Sequence, residues 1–216
     1  MTFRQARYHL PLNGTEILLV RHGESAPAVT GRPFPLVDGH GDPPLAPDGL
    51  VQATRVADHL VNTRIDAIYV TTLRRTVQTA APLAARLGLT PAVCGDLREV
   101  HLGEWEGGLF RQRVAENDPV AVRMRAEQRW DVIPGGESTE ELGARVRRGM
   151  AGIAKAHPDQ RVAVFTHGGV IGQIIAEATG CEPFAFVGAD NGSVSCVVVT
   201  ETNWLVRGYN YIGHLS

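Results

Sequence analysis

Short apolar segments that alternate with helix-like patterns organise this chain. Three segments are apolar on both faces, which is typical of strands buried in a layered sheet, and they lie at residues 17–20, 66–70 and 161–166. Further strand-like segments lie at residues 91–94, 193–200 and 203–212, and the last two are close enough in the chain to pair as an edge hairpin. The pattern therefore places a sheet at the centre of the fold.

Apolar residues at helical spacing separate these strands. Pro47 opens the first helix. Its predicted apolar face consists of Leu50, Ala53, Ala57, Leu60 and Val61. A second helix ends at Gly88, and Pro82 inside it is expected to kink or split it. Ser138 and Glu141 form a predicted capping box at the start of a third helix.

The alternation of strands and helices predicts an α/β fold, namely a three-layer sandwich with a mostly parallel central sheet flanked by helices. We expect residues 1–216 to form a single domain, with a small helical and loop lid contributed by about residues 104–136. The proline- and glycine-rich segment 30–49 is expected to be a surface loop without a helix or central strand.

Composition narrows the classes of function. The chain is 44% hydrophobic and 20% charged, as in ordinary globular domains, and its net charge of -2 gives no general attraction to nucleic acid. No apolar run approaches the roughly 20 residues that a membrane span requires, and the N-terminal segment has no signal-peptide core, so a cytoplasmic location is expected. The cysteines and histidines lack metal-site spacing, and we assign no metal and no cofactor.

Chemistry-bearing residues follow two of the buried strands. Arg21 and His22 follow the first, whereas His167 and Gly168 follow the strand at 161–166 and open an apolar helix. Ligands of open α/β sheets collect at the carboxyl ends of strands, and a helix N-terminus favours anions. A third strand leads into Thr72–Arg75, which brings Arg74 or Arg75 to the same edge. These residues predict a phosphate site.

A histidine between arginines has a simple role in such a site. Nearby cations disfavour the protonated ring, so the neutral imidazole is free to attack phosphorus. The leaving alcohol then needs a proton from a positioned acid. Glu99 is the preferred donor because it directly follows a short strand and precedes a glycine- and tryptophan-containing loop, and its competitors are Glu24, Glu104 and Glu106.

A series of motifs runs along nearly the whole chain in a characteristic order. They are RHGES, the pair Gly31-Arg32, LAPDGLVQA, TTLRRTVQTA, LREVHLGEWEG, GGES, THGG and NGSVS. Together they resemble the histidine phosphatase superfamily, in its phosphoglycerate mutase-like branch. The fold expected from this resemblance is the sandwich described above.

The resemblance also implies individual roles. By this analogy His22 accepts the phosphoryl group and Glu99 donates the proton. The family's spacing of leucine and arginine selects Arg75 rather than Arg74. The phosphate ligands implied are Arg21, Arg75, His167, Gly168, Arg32 and Asn191. One departure is Ala28, which stands where many relatives carry a phosphate-binding asparagine.

Two regions stay open at this stage. The arginines at positions 111, 113, 123, 125 and 129 either line the pocket mouth or form a solvated helix face, and we favour the solvated face. Trp105 and Trp130 belong either to the core or to the lid.

The resulting hypothesis is a metal-independent phosphomonoesterase that acts through a phosphohistidine on a small phosphorylated metabolite. The alternatives are a cofactor-dependent phosphoglycerate mutase and a catalytically weak phosphate-binding regulatory protein. In the family that the chain resembles, mutases usually carry a longer insertion between the acid and the second histidine, so the short segment between Glu99 and His167 implies hydrolysis rather than the mutase reaction. We expect no nucleic-acid or membrane partner, and the resemblance suggests a homodimer.

Overall fold

A computed structural model describes residues 1–216, and a six-stranded sheet forms its centre. The strands of this sheet are β1 (Thr15–Arg21), β4 (Ala67–Val70), β5 (Ala92–Val93), β6 (Arg161–Thr166), β7 (Val194–Val199) and β8 (Trp204–Tyr211). Two short strands, β2 (Leu36–Val37) and β3 (His40–Gly41), pair with each other in the proline- and glycine-rich loop. The predicted loop therefore contains a small hairpin and no central strand, and its last three residues, 47–49, already belong to the first helix.

The strand order is β5-β4-β6-β1-β7-β8. The first four strands are parallel, whereas β7 and β8 are antiparallel and form the predicted edge hairpin. The sheet is thus mixed, with a parallel half that contains the three predicted buried strands. The α/β fold class is confirmed.

Six α-helices cover the sheet. They are α1 (Pro47–Leu60), α2 (Arg74–Leu87), α3 (Leu109–Ala115), α4 (Pro119–Glu127), α5 (Thr139–Ala156) and α6 (Gly168–Thr179). Gly88 ends α2 in a left-handed conformation with φ 66°, and Ser138 and Glu141 form the predicted capping box of α5. No helix is long and apolar enough to cross a bilayer.

The core lies on both faces of the sheet, and β1 shows this directly. Ile17 and Leu19 point into a cluster of 23 buried residues on the α5 and α6 face, whereas Leu18 and Val20 point into a cluster of 14 on the α1 and α2 face. Successive side chains of a strand point to opposite faces, so a strand that is apolar throughout requires two cores. This explains the three layers.

The larger cluster extends into the predicted lid segment. Trp105 and Trp130 are only 6% and 8% exposed and belong to it, together with Met124 of α4. Residues 104–136 therefore pack on the same core as the sheet.

One helix prediction was wrong in detail, and for another the structure excludes one of its two alternatives. Leu50 is exposed, and Val56 takes its expected place on the buried face of α1. Helix α2 continues through Pro82, so the proline does not split it. A proline inside a helix costs about 3 kcal/mol, and the buried side chains of Leu83 and Ala84 on the next turn anchor the helix against this cost.

Candidate active site

Two neighbouring parallel strands bring the two histidines together. Arg21 is the last residue of β1 and lies opposite Thr166, the last residue of β6, so His22 and His167 follow at the same sheet edge. Their ring centroids are 5.2 Å apart at an interplanar angle of 61°. The juxtaposition predicted from the strand pattern is therefore present.

The hydrogen bonds of His22 determine which ring nitrogen is free. Its Nδ1 lies 2.7 Å from the carbonyl oxygen of Gly23, which only accepts hydrogen bonds, so Nδ1 carries the proton. Nε2 then holds a lone pair, and Arg75 Nε donates to it at 3.3 Å. Burial lowers the pKa of His22 well below 6.5, and the charges of Arg75 and Arg21 lower it further. The ring is neutral near pH 7 with Nε2 available as a nucleophile.

The two arginines that begin α2 diverge. Arg75 is 6% exposed, and its Nη1 donates to the carbonyl of Gly41 at 2.9 Å. Arg74 is exposed and pairs with Asp42 through its Nε at 2.9 Å and through its backbone N–H at 2.8 Å. Arg75 therefore borders His22, and Arg74 holds the loop next to Gly41.

Arg21 and His167 each carry a buried nitrogen without a protein partner. Arg21 Nη1 donates to the carbonyl of Ala189, but Arg21 Nε is buried and unpaired. His167 is fully buried, with Nε2 3.0 Å from Thr71 Oγ1, and its Nδ1 is unpaired. Buried polar nitrogens normally have a partner, so these two mark a place that fits an anion.

The glycines of the THGG motif make room for the neighbouring side chains. Gly168 and Gly169 are the first residues of α6. A Cβ on Gly168 would lie 3.2 Å from Arg21 Nε, and one on Gly169 would lie 2.8 Å from Glu99 Oε1. Only glycine lets the helix start this close to both groups.

Glu99 lies across the site from His22, and its backbone is fixed by Arg145. Arg145 donates to the carbonyls of Glu99 at 3.0 Å and of Asp96 at 2.8 Å, and it forms a largely buried ion pair with Glu137 at 2.6 Å. Glu137 belongs to the GGES motif, which the sequence analysis quoted without assigning a role to its members. The Glu99 carboxylate accepts the backbone N–H of Val100 at 3.0 Å.

The competing carboxylates are placed differently. Glu104 and Glu24 are exposed. Glu106 accepts backbone N–H groups of Gly41 and Leu102 at 2.7 and 2.9 Å, one with each oxygen, so it is engaged in holding loops. Glu99 lines the same cavity as His22 and Arg75, and one of its carboxylate oxygens has no protein hydrogen bond.

Two cavities meet at His22. The inner cavity, of about 290 Å³, is lined by Arg21, His22, Arg75 and Glu99 and by several aromatic rings. The outer cavity, of about 770 Å³, is lined by Arg21 and His22 and also by Arg32 and Asn191. Arg75 and Glu99 do not line the outer cavity, and Arg32 and Asn191 do not line the inner one.

Arg32 and Asn191 therefore differ from the central group of predicted residues. Arg32 is exposed at the rim of the outer cavity. Asn191 donates through Nδ2 to the carbonyl of His22 at 2.9 Å, and the next residue, Gly192, donates its backbone N–H to the carbonyl of Arg21 at 3.1 Å. Asn191 thus holds the backbone that carries Arg21 and His22.

Sequence reasoning missed Arg111 as a site residue. It lines both cavities, donates to Ser25 Oγ at 2.6 Å and to the carbonyl of Ala26 at 2.8 Å, and lies over the ring of Phe34 at 5.5 Å. The preference for a solvated face is wrong for this arginine. The signal that was available is the pair Gly107-Gly108, whose positive φ values of 70° and 104° turn the start of α3 toward the site.

Three other arginines of that region, Arg123, Arg125 and Arg129, are exposed and agree with the solvated-face interpretation. Arg123 pairs with Glu127 and Arg129 with Asp131, whereas Arg113 is half-buried and pairs with Asp118. Ala28 lines the outer cavity near the loop that Arg111 contacts.

Comparison with known proteins agrees with this geometry. The family model described as histidine phosphatase superfamily (branch 1) matches residues 17–212. A metal-independent phosphoserine phosphatase of Arabidopsis thaliana is 34% identical over 94% of this chain and 84% of that protein. A probable phosphoglycerate mutase of Yersinia pestis is 30% identical over 90% of this chain and 89% of that protein. The structure of a mycobacterial glucosyl-3-phosphoglycerate phosphatase superposes with a TM-score of 0.77 at 28% identity, covering 91% of this chain and 99% of that one.

Proposed function

The chain belongs to the histidine phosphatase superfamily and is a phosphatase, and on that premise we propose that it hydrolyses phosphomonoesters of small metabolites through a phosphohistidine on His22. The observation that carries this proposal is the free Nε2 of a neutral His22 beside Arg75, together with the unpaired nitrogens of Arg21 and His167. A nucleophile and donors for a phosphoryl group are thus already assembled.

In the first step the Nε2 lone pair attacks phosphorus, and an N–P bond forms as the ester P–O bond breaks. The leaving oxygen takes the proton of the Glu99 carboxyl group. In the second step the Glu99 carboxylate accepts a proton from water, and the water oxygen attacks phosphorus. The N–P bond breaks, its electron pair returns to Nε2, and inorganic phosphate leaves.

The cations lower the barrier because charge accumulates on the transferring oxygens. A guanidinium about 4 Å from a negative oxygen contributes on the order of 4 kcal/mol at an effective dielectric constant near 20. Arg21 and Arg75 supply two such charges, and Arg111 adds a third from α3. Because backbone carbonyls and Ser25 already fix their orientation, little reorganisation is needed during the reaction.

The test is the His22→Ala variant, assayed with 4-nitrophenyl phosphate in EDTA beside the control His9→Ala, which changes an exposed histidine that lines neither cavity. We expect His22→Ala to lose turnover by at least about 10³-fold and His9→Ala to retain it. Retained turnover in His22→Ala would rule the mechanism out. In addition, Glu99→Gln should accumulate a phosphorylated protein that intact-mass analysis after a rapid quench detects.

Transfer back to a substrate alcohol is the competing reaction, since the Yersinia pestis relative is named a probable phosphoglycerate mutase. We propose that water is the acceptor here. Isomerisation of 3-phosphoglycerate, measured with and without 2,3-bisphosphoglycerate, should be far slower than phosphate release. Isomerisation faster than hydrolysis would reverse this assignment.

We also propose that residues 1–216 form one domain and that residues 104–136 act as its lid. Support comes from Trp105, Phe110, Arg111 and Trp130 of this segment, all of which line the inner cavity. A homodimer and a cytoplasmic location are further proposals, tested by sedimentation velocity and by cell fractionation.

A further inference from the structure

We propose that the alcohol half of the substrate occupies the inner cavity and is therefore compact, with an apolar or aromatic face. This inference rests on the proposed function, because it uses Glu99 as the proton donor. It goes further because it selects among phosphate esters, all of which present the same terminal phosphate to Arg21, His22, Arg75 and His167.

The first step is the position of the leaving oxygen. That oxygen must lie between the phosphorus atom, which is attacked by His22 Nε2, and the carboxyl group of Glu99. Arg75, which donates to Nε2, and Glu99 both line the inner cavity and do not line the outer one. The bond that breaks is therefore directed into the inner cavity, and the alcohol carbon continues there.

The second step is the chemistry of the walls. Beyond the reacting groups, the inner cavity is lined by Phe34, Trp105, Phe110 and Trp130, with Val100 and Leu102. The ring of Phe110 lies 6.3 Å from that of Trp105 and 6.2 Å from that of Trp130, so the three rings form one continuous surface. Aromatic rings at these spacings favour apolar and planar groups.

The third step is the supply of polar partners. Glu106 lines the same cavity, but both its oxygens already accept backbone N–H groups. His40 Nδ1 lies 3.0 Å from the carbonyl of Asp38, which leaves Nε2 as the free nitrogen of that ring. Arg111 is the remaining charged group beyond the reacting ones, and it stands where the two cavities meet. A polyol with several hydroxyl groups would therefore exceed the few polar partners on these walls, which costs free energy on binding.

The fourth step is size. At about 30 Å³ per water-sized group, a cavity of about 290 Å³ holds about ten such groups. That is room for a phosphoryl group with one ring or a short chain beside it, whereas a nucleoside alone carries about twice as many non-hydrogen atoms as the cavity has places.

The experiment compares kcat/KM for benzyl phosphate and glycerol 1-phosphate, with adenosine 5′-phosphate and O-phosphoserine in the same panel. All four release a primary alcohol, so the comparison reports the fit of the alcohol more than its quality as a leaving group. We expect benzyl phosphate to exceed each of the others by at least about tenfold. Equal or better turnover of any of the other three would overturn the inference.

A matched pair of variants tests the wall itself. Phe34→Ala removes one aromatic side chain that is half-buried and outside the core clusters, and Leu36→Ala changes an exposed residue of the same loop that lines neither cavity. Phe34→Ala should lower the ratio of benzyl phosphate to glycerol 1-phosphate by at least about fivefold, and Leu36→Ala should leave it unchanged. An unchanged ratio in Phe34→Ala would contradict the proposal. Failure to hydrolyse any ester would instead refute the proposed function.

Discussion

Replacing Thr71 by valine tests how the fold sets the proton position on His167. Thr71 Oγ1 lies 3.0 Å from His167 Nε2 and 3.1 Å from Thr76 Oγ1, and Thr71 and Thr76 are at most 1% exposed. If the Thr71 hydroxyl donates to Nε2, the ring proton resides on Nδ1. That unpaired nitrogen then serves as a donor to the phosphoryl group. Valine has almost the shape of threonine but no hydroxyl, so it removes the contact with His167 together with the Thr71 hydrogen bonds to Thr76 and to the backbone N–H of Leu73.

The magnitude follows from the burial of the ring. A buried nitrogen left without a partner costs about 1–3 kcal/mol, and each 1.36 kcal/mol corresponds to about tenfold in rate. Without the hydroxyl Nε2 is unpaired in both tautomers, so the preference for the Nδ1–H form is lost, and the part of the population that carries its proton on Nε2 offers no donor to phosphate. We expect kcat of Thr71→Val to fall by about tenfold, with a smaller change in KM.

The assay pairs steady-state kinetics with ¹⁵N shifts of the His167 ring, which distinguish the two tautomers. Thr71→Ser keeps the hydroxyl and should retain both the kcat and the Nδ1–H tautomer. Thr76→Val removes a hydroxyl from the same buried network without touching His167, so it controls for a loss of stability. A Thr71→Val protein with unchanged kcat and an unchanged ring spectrum would refute the reasoning.

Three further predictions concern other contacts of the site. Arg111→Gln should lower kcat/KM by about tenfold and weaken competitive inhibition by inorganic phosphate, whereas Arg113→Gln on the same helix should change neither quantity. Asn191→Ala should lower kcat without a proportional rise in KM, because the lost bond orients the His22 backbone; an effect confined to KM would indicate direct substrate binding instead. Burial and nearby arginines lower the pKa of His22 and His167 well below 6.5, so the unfolded chain binds more protons below that pH. The urea midpoint of unfolding should therefore be constant above about pH 6.5 and fall as the pH decreases below that value. The fall should be less steep in His167→Asn. A midpoint that does not depend on pH would contradict this prediction.

The parallel half of the sheet was predictable because its strands are buried on both faces. Continuous apolar runs leave little choice of structure, and neighbouring parallel strands end at one edge. The meeting of His22 with His167 requires, in addition to these two facts, that β1 and β6 be neighbours, which the structure shows. The choice between Arg74 and Arg75 did not follow from them, because a strand–helix junction brings both residues to the edge. The first turn of α2 decides it, by turning Arg75 inward and Arg74 toward Asp42.

The walls of the site were less predictable because they depend on tertiary contacts between irregular segments. Arg111 belongs to a short helix whose seven residues include no buried one, so no hydrophobic periodicity shows which way it faces. Arg145 donates to the backbone carbonyl of Glu99, which lies 46 positions earlier in the chain, and Arg145 is itself paired with Glu137. Such contacts leave no local pattern in the sequence. Glycines that let two segments approach closely, such as Gly169 beside Glu99, were the remaining local signal of these contacts in the sequence.

The ion pairs of the chain separate structural arginines from those of the site. Arg145 and Arg161, for example, contact carboxylates, whereas Arg21, Arg75 and Arg111 have none within 4.0 Å and are held by backbone carbonyls. Carbonyl dipoles orient a guanidinium without neutralising it, so the cluster keeps a net positive charge that a phosphate dianion balances. Burial lowers the pKa of His22 most, and the same uncompensated charge lowers it further, so the ring stays unprotonated. One arrangement therefore attracts the anion and preserves the lone pair that attacks it, whereas a carboxylate placed to stabilise these arginines would weaken both effects.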